Sequence, residues 1–126
     1  MNLENTLKKG SLILKKNNIN SHELDAQIIL SNLIGVEREY LIINDKINIS
    51  EKIMDKYDAA IKRRIDKEPI AYIVGKKEFW SQNFVVNYST LIPRPESELL
   101  IYKVIKHFKN KSINILDIGT GSGCIL

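Results

Sequence analysis

Over the first 68 residues the apolar positions recur at helical spacing, and beyond Pro69 they shift to short aromatic and β-branched runs. Leu3, Leu7 and Leu14 share a helical face, interrupted by Gly10, which weakens a helix by about 1 kcal/mol relative to Ala. "NSHELDAQIILSNLIG" predicts the clearest helix. Asn20 is placed to cap it, Glu23 follows three residues on, Leu24, Ile28, Ile29 and Leu33 share faces, and Gly35 stops it. "VEREYLII" adds a short turn of helix. Ser50 then caps a longer helix in which Ile53, Tyr57, Ile61 and Ile65 recur every four residues, and Pro69 ends it. These elements predict a small helical bundle.

Beyond Pro69, "KKEFW" and "FVVNY" flank Ser81-Gln82-Asn83, which predicts a β-hairpin from Lys76 to about Tyr88. In "LIPRPESE" each proline holds the residue before it, Ile92 or Arg94, extended. Pro95 suits the first position of a helix, and Glu96 and Glu98 favour its positive end. Leu100, Val104 and Phe108 line one face of that helix, and "SINILDI" reads as a buried strand. A lone strand has unpaired edges and no covering layer, so poor order is expected beyond about Ser112 in isolation.

Composition narrows the function classes. The chain has 126 residues, is 44% hydrophobic and carries a formal charge of +4, enough for a real core and unlike a disordered segment. Residues 1–68 hold twelve Lys/Arg against eleven Asp/Glu, and residues 69–126 seven against four. Neither half carries a dense basic stripe, so no direct nucleic-acid partner is expected. Cys124 is the sole cysteine, which excludes an internal disulfide and a Cys-rich zinc site; no metal is expected. No signal peptide and no run near ~20 apolar residues is visible, so a soluble, cytoplasmic monomer without a membrane partner is expected.

The chemistry concentrates in "ILDIGTGSGCIL". Gly119, Gly121 and Gly123 stand at alternate positions after the strand-like run, where glycines permit a tight turn and close approach of a ligand to the backbone. The dinucleotide fingerprint needs its third glycine where Cys124 stands, and no Gly-Lys-Ser/Thr follows for a phosphate loop. Asp117 just before the turn repels anions and favours a ligand with cationic or hydroxyl groups. S-adenosylmethionine, with a sulfonium, an amino group and a ribose, has that character. The alternative is a glycine-rich turn that serves only strand-to-helix geometry.

"EPIAYIVGKKEFWSQNFVVNYSTLIPRPESELLI" followed by "ILDIGTGSGCIL" closely resembles the glutamine methyltransferases that modify peptide chain release factors, the HemK/PrmC family. The likeness is strong from Glu68 to Leu126 and weaker over the helical half, where "LDAQIILSNLIG" echoes the family's N-terminal domain. Ser97 stands where Thr is more usual and Tyr88 where Pro is common. The resemblance implies an α/β protein overall. Its parts would be a small N-terminal helical bundle for substrate recognition (1–68), a β-hairpin linker (69–90) and the start of a Rossmann-like methyltransferase domain (91–126). It implies methyl transfer from S-adenosylmethionine to the Gln side-chain amide in the Gly-Gly-Gln loop of a release factor. Asp117, Gly119, Thr120, Gly121, Ser122 and Gly123 would bind the cofactor, and Arg94, Pro95 and Glu96 would form an active-site rim. The family's Asn-Pro-Pro-Tyr motif, which orients the amide, does not occur in this sequence, so no catalytic residue is assigned. The 126 residues are expected to be the front part of a longer enzyme and inactive alone.

Two rival functions stay open: an adenine-N6 DNA methyltransferase fragment, disfavoured by the nearly neutral first half, and a non-enzymatic module that binds a release factor or the ribosome. Among the remaining residues, Phe79 and Trp80 are expected in the core, and His22 and His107 on the surface. Cys124 is expected as an inert buried thiol, and Lys62, Arg63 and Arg64 as a solvated helix face.

Overall fold

A computed structural model describes residues 2–44 and 46–126. It is mixed helix and sheet, with helices dominant. Two compact units follow one another, the first ending at Val74 and the second running from Gly75 to Leu126.

The first unit contains α1 (Leu3–Lys16), α2 (His22–Ile34), α3 (Arg38–Ile43), α4 (Glu51–Ile65) and α5 (Ile70–Val74). Asn2 caps α1, its Oδ1 accepting the Asn5 N–H at 2.9 Å. The start of α2 is different from expectation: Ser21, not Asn20, precedes it, and the Ser21 hydroxyl donates to Asp25 Oδ2 instead of capping an amide. Gly35 ends α2 at φ 81°, where its N–H bonds the Ser31 carbonyl, as a left-handed C-terminal glycine should. A fifth helix follows Pro69, where the sequence pattern had ended the helical half. Five residues are too few to show a period, and α5 is fixed by packing on α2 and α4.

α2 packs against α1, α3, α4 and α5, which explains why its apolar residues occupy several faces. Ala26, Ile29 and Leu30 are buried with Leu3, Leu14, Ile19, Leu41, Tyr57 and Ile61. Each such Leu or Ile contributes about 1.5–3 kcal/mol over its exposed state. Leu24 is exposed, and Asp25 beside it is buried. The burial of Asp25 is matched by Arg64 of α4, whose Nε donates to Asp25 Oδ2 at 2.7 Å. Arg64 also donates to the Glu68 carbonyl, and Arg63 pairs with the Glu68 carboxylate through two nitrogens while reaching the Tyr72 carbonyl. Arg63 and Arg64 are therefore structural ties from α4 to α2 and to the start of α5, and only Lys62 of that run matches a solvated face.

Gly10 has a specific cause. A Cβ there would sit 2.1 Å from the Tyr57 hydroxyl, so the glycine makes room for the aromatic ring. Tyr57 is 1% exposed and its hydroxyl has no partner among the described residues. Burial, with a smaller push from Asp58, raises its pKa.

The second unit opens with antiparallel strands β1 (Lys76–Phe79) and β2 (Gln82–Val85), with Phe79 opposite Gln82. The turn is thus Trp80-Ser81, one residue earlier than Ser81-Gln82-Asn83. Both residues have positive φ, 51° and 58°, the geometry whose twist suits a two-residue hairpin. Phe79 is buried and meets Phe84 edge-on, but Trp80 at the turn is 40% exposed, against the expectation of core. A 3-10 turn (Pro95–Ser97) leads into α6 (Glu98–Phe108). Residues 112–118 form no strand: they run without a ladder partner, which a strand requires.

Candidate functional site

The glycine segment makes turns at the end of the second unit. Gly119, Gly121 and Gly123 have φ of 81°, 56° and 76°, so all three lie in the region that L-residues adopt only with strain. An added Cβ at Gly119 or Gly123 would meet nothing within 4 Å, and at Gly121 only the Gly119 carbonyl at 3.9 Å. Backbone conformation, not crowding by the protein, is the reason for glycine here. The Gly123 N–H closes the turn on the Thr120 carbonyl at 2.9 Å. Thr120 is exposed, and Ser122 is half-buried.

Two polar atoms in this segment are buried without a partner among the described residues, Asp117 Oδ2 and Ser122 Oγ. Such atoms cost free energy unless something satisfies them. Asp117 lines a cavity of about 410 Å³ whose walls are otherwise apolar, with Leu100, Ile101, Val104 and Ile105 of α6 facing Ile115 and Leu116. The structure therefore brings Asp117 to a pocket under α6. Gly119 to Gly123 do not line that pocket, nor do Arg94, Pro95 and Glu96, which are all exposed. Pro95 takes the first position of the 3-10 turn.

Other contacts were not legible in sequence. The Trp80 N–H donates to Glu98 Oε1 at 2.9 Å across 18 residues, a separation no local spacing rule detects. His22 is half-buried, with its Nδ1 2.9 Å from the Ser11 hydroxyl, whereas His107 is a surface residue whose Nδ1 bonds the Lys103 carbonyl. Cys124 is half-buried. No group of three His, Cys, Asp or Glu able to hold a metal occurs among the described residues. No helix among them is long and apolar enough to cross a membrane.

A family model described as the PrmC N-terminal domain matches residues 5–75, from α1 through the end of α5. The chain belongs to this family. Similarity to curated proteins extends well beyond the matched domain. A release factor glutamine methyltransferase of Buchnera aphidicola subsp. Schizaphis graminum is 43% identical over 125 residues, covering 99% of this chain and 45% of its own length. Proteins of the same name from Leptospira interrogans and Clostridium botulinum are 42% and 38% identical. They align over 94% and 99% of this chain and 42% and 44% of their own lengths. The chain thus spans less than half the length of these relatives, and the similarity includes the hairpin, α6 and the glycine turns.

Proposed function

We propose that these residues form the helical domain and the opening of the catalytic domain of an S-adenosylmethionine-dependent enzyme. Its product would be a release factor methylated on the side-chain amide of the Gln in its Gly-Gly-Gln loop. The observation that carries the reading is an alignment at about 40% identity over 99% of the chain, glycine segment included, with relatives named release factor glutamine methyltransferase. On this reading the cytoplasm is where the enzyme meets its substrate. Residues 1–68 contribute to substrate recognition, 69–90 link, and 91–126 begin a Rossmann-like sheet domain.

The residues present suit this cofactor. S-adenosylmethionine supplies a methyl group carried on a cationic sulfonium. Asp117 offers a buried, unpartnered carboxylate oxygen, which is hostile to phosphate and ready to accept from a ribose hydroxyl or an amino group. Ser122 Oγ adds a second unpartnered group. Gly119, Gly121 and Gly123 keep Cβ atoms away from a ligand lying on the turn. The apolar pocket beside Asp117 falls in the size range of small-molecule sites, ~300–1,000 Å³. An amide nitrogen is a poor nucleophile, so orienting it beside the methyl donor is the remaining task. The resemblance to the glutamine methyltransferases assigns that task to an Asn-Pro-Pro-Tyr motif, which does not occur in these 126 residues.

The test uses the protein extended to the length of its relatives, with methyl-labelled S-adenosylmethionine and a release factor. Label confined to the Gly-Gly-Gln peptide, and cofactor affinity lowered about tenfold or more by Asp117→Asn, is the expected result. An unlabelled release factor together with methylated adenine in DNA would sink the reading.

A further inference from the structure

We infer that Glu98 is a positioning residue: it locks the Trp80–Ser81 turn to the start of α6 and so presents the Trp80 indole to an incoming protein loop. The inference rests on the methyltransferase reading above and adds a substrate-contacting element to it.

Three observations converge. The hairpin turn places two side-chain-bearing residues at φ 51° and 58°, where Asn-Gly is the low-cost choice and a bulky residue is strained. Strained backbone of this kind persists only where surrounding contacts hold it. Strand pairing flanks the turn, with Phe79 opposite Gln82, and a further contact comes from outside the hairpin: the Glu98 carboxylate accepts the Trp80 N–H at 2.9 Å. Finally, the side chain so held is not spent on the core, since Trp80 remains 40% exposed while its neighbour Phe79 is buried.

Glu98 directly follows the Pro95–Ser97 turn, whose Ser97 N–H bonds the Arg94 carbonyl. One carboxylate therefore couples the hairpin tip to the Arg94–Glu96 segment within the second unit. An indole offers a large, rigid apolar face. A Gly-Gly-Gln loop suits that face, because its two glycines leave the peptide planes uncovered by side chains. Trp80 is thus assigned to substrate contact and Glu98 to holding it.

Trp80 is the sole tryptophan of the 126 residues, so its fluorescence reads the contact directly. Glu98→Ala is expected to shift Trp80 emission to the red and increase acrylamide quenching, with helix content unchanged by circular dichroism. Glu98→Gln, which keeps an oxygen acceptor, should return both to the wild-type values. Glu98→Leu replaces the alanine variant should that one lose helix. Wild-type emission and quenching in the variant lacking the acceptor overturns the clamp. In the longer enzyme, Trp80→Ala and Glu98→Ala should each raise KM for the release factor about tenfold with kcat little changed, and Glu98→Gln should restore it. An active enzyme whose KM is insensitive to both overturns the contact role. If the wild-type enzyme transfers no methyl group at all, the proposed function fails, and fluorescence alone then decides the clamp.

Discussion

Leu30 of α2 is wholly buried, whereas Leu116, in the segment before the glycine turns, is 83% exposed. Their side chains are the same, and each lies in a run rich in isoleucine and leucine. What differs is the supply of partners. α2 has four helices against it, and a chain of buried contacts runs from Leu3 to Ile61. Residues 112–118 have no ladder partner among the described residues, and α6 with Ile125 and Leu126 lines an apolar cavity beside Ile115 and Leu116. Apolar content states a demand for burial, and the elements available decide whether it is met. The first unit meets most of its demand internally, although Ile42 and Ile43 of α3 stay exposed. In the second, α6 contains no buried residue, although its Leu100, Val104 and Phe108 stripe is as regular as any in the helical unit.

The strongest way to break this contrast is to delete the same atoms in both places. Leu30→Ala should destabilise the helical unit by about 2–5 kcal/mol, through lost burial plus a cavity. Leu116→Ala should change stability by no more than about 0.5 kcal/mol, as exposed substitutions do. Chemical denaturation followed by helix circular dichroism separates the two. Equal effects would mean that Leu116 is as well packed as Leu30.

A smaller effect is expected at Gly10. On an exposed helix Gly10→Ala would gain about 1 kcal/mol, but the new methyl collides with the Tyr57 ring. Overpacking should win, with a net loss of about 1–3 kcal/mol in the same denaturation experiment. A stabilised Gly10→Ala protein would mean that Tyr57 does not sit over α1.

The smallest effect sharpens the account of Tyr57. Its hydroxyl is buried without a partner, so Tyr57→Phe should cost less than about 1 kcal/mol or be stabilising near neutral pH. The sign of the alkaline dependence follows from its raised pKa. Below the unfolded value of about 10 both states hold the proton. Above it the unfolded chain releases the proton first, so this contribution to stability falls as pH rises. Tyr57→Phe should flatten that decline; an unchanged slope would locate the effect elsewhere.

Much of the helical unit was legible because its signals are local. The four-residue recurrence of Ile53, Tyr57, Ile61 and Ile65 and the Gly35 stop each correspond to an observed feature. Non-local features were not. Gly10 read as a weak point because its reason, Tyr57, lies 47 residues away, and the Arg63–Arg64 pair read as solvent-facing because Glu68 and Asp25 join it only after folding. The hairpin was legible as a hairpin, yet its turn was misplaced because Trp-Ser is an unusual occupant of a left-handed two-residue turn. At the candidate site, Asp117 and the three glycines could be singled out by spacing. That Asp117 Oδ2 is buried without a partner beside an apolar cavity needed coordinates.

Native-state hydrogen exchange on the 126-residue chain tests the contrast most directly. The amides of α1, α2 and α4 should be protected together up to the global unfolding free energy of the helical unit, while those of Ile113–Ile118, lacking ladder acceptors, should exchange near their intrinsic rates. Strong protection of Ile113–Ile118 in the monomer would contradict it, because those residues would then already have the partners that the contrast denies them.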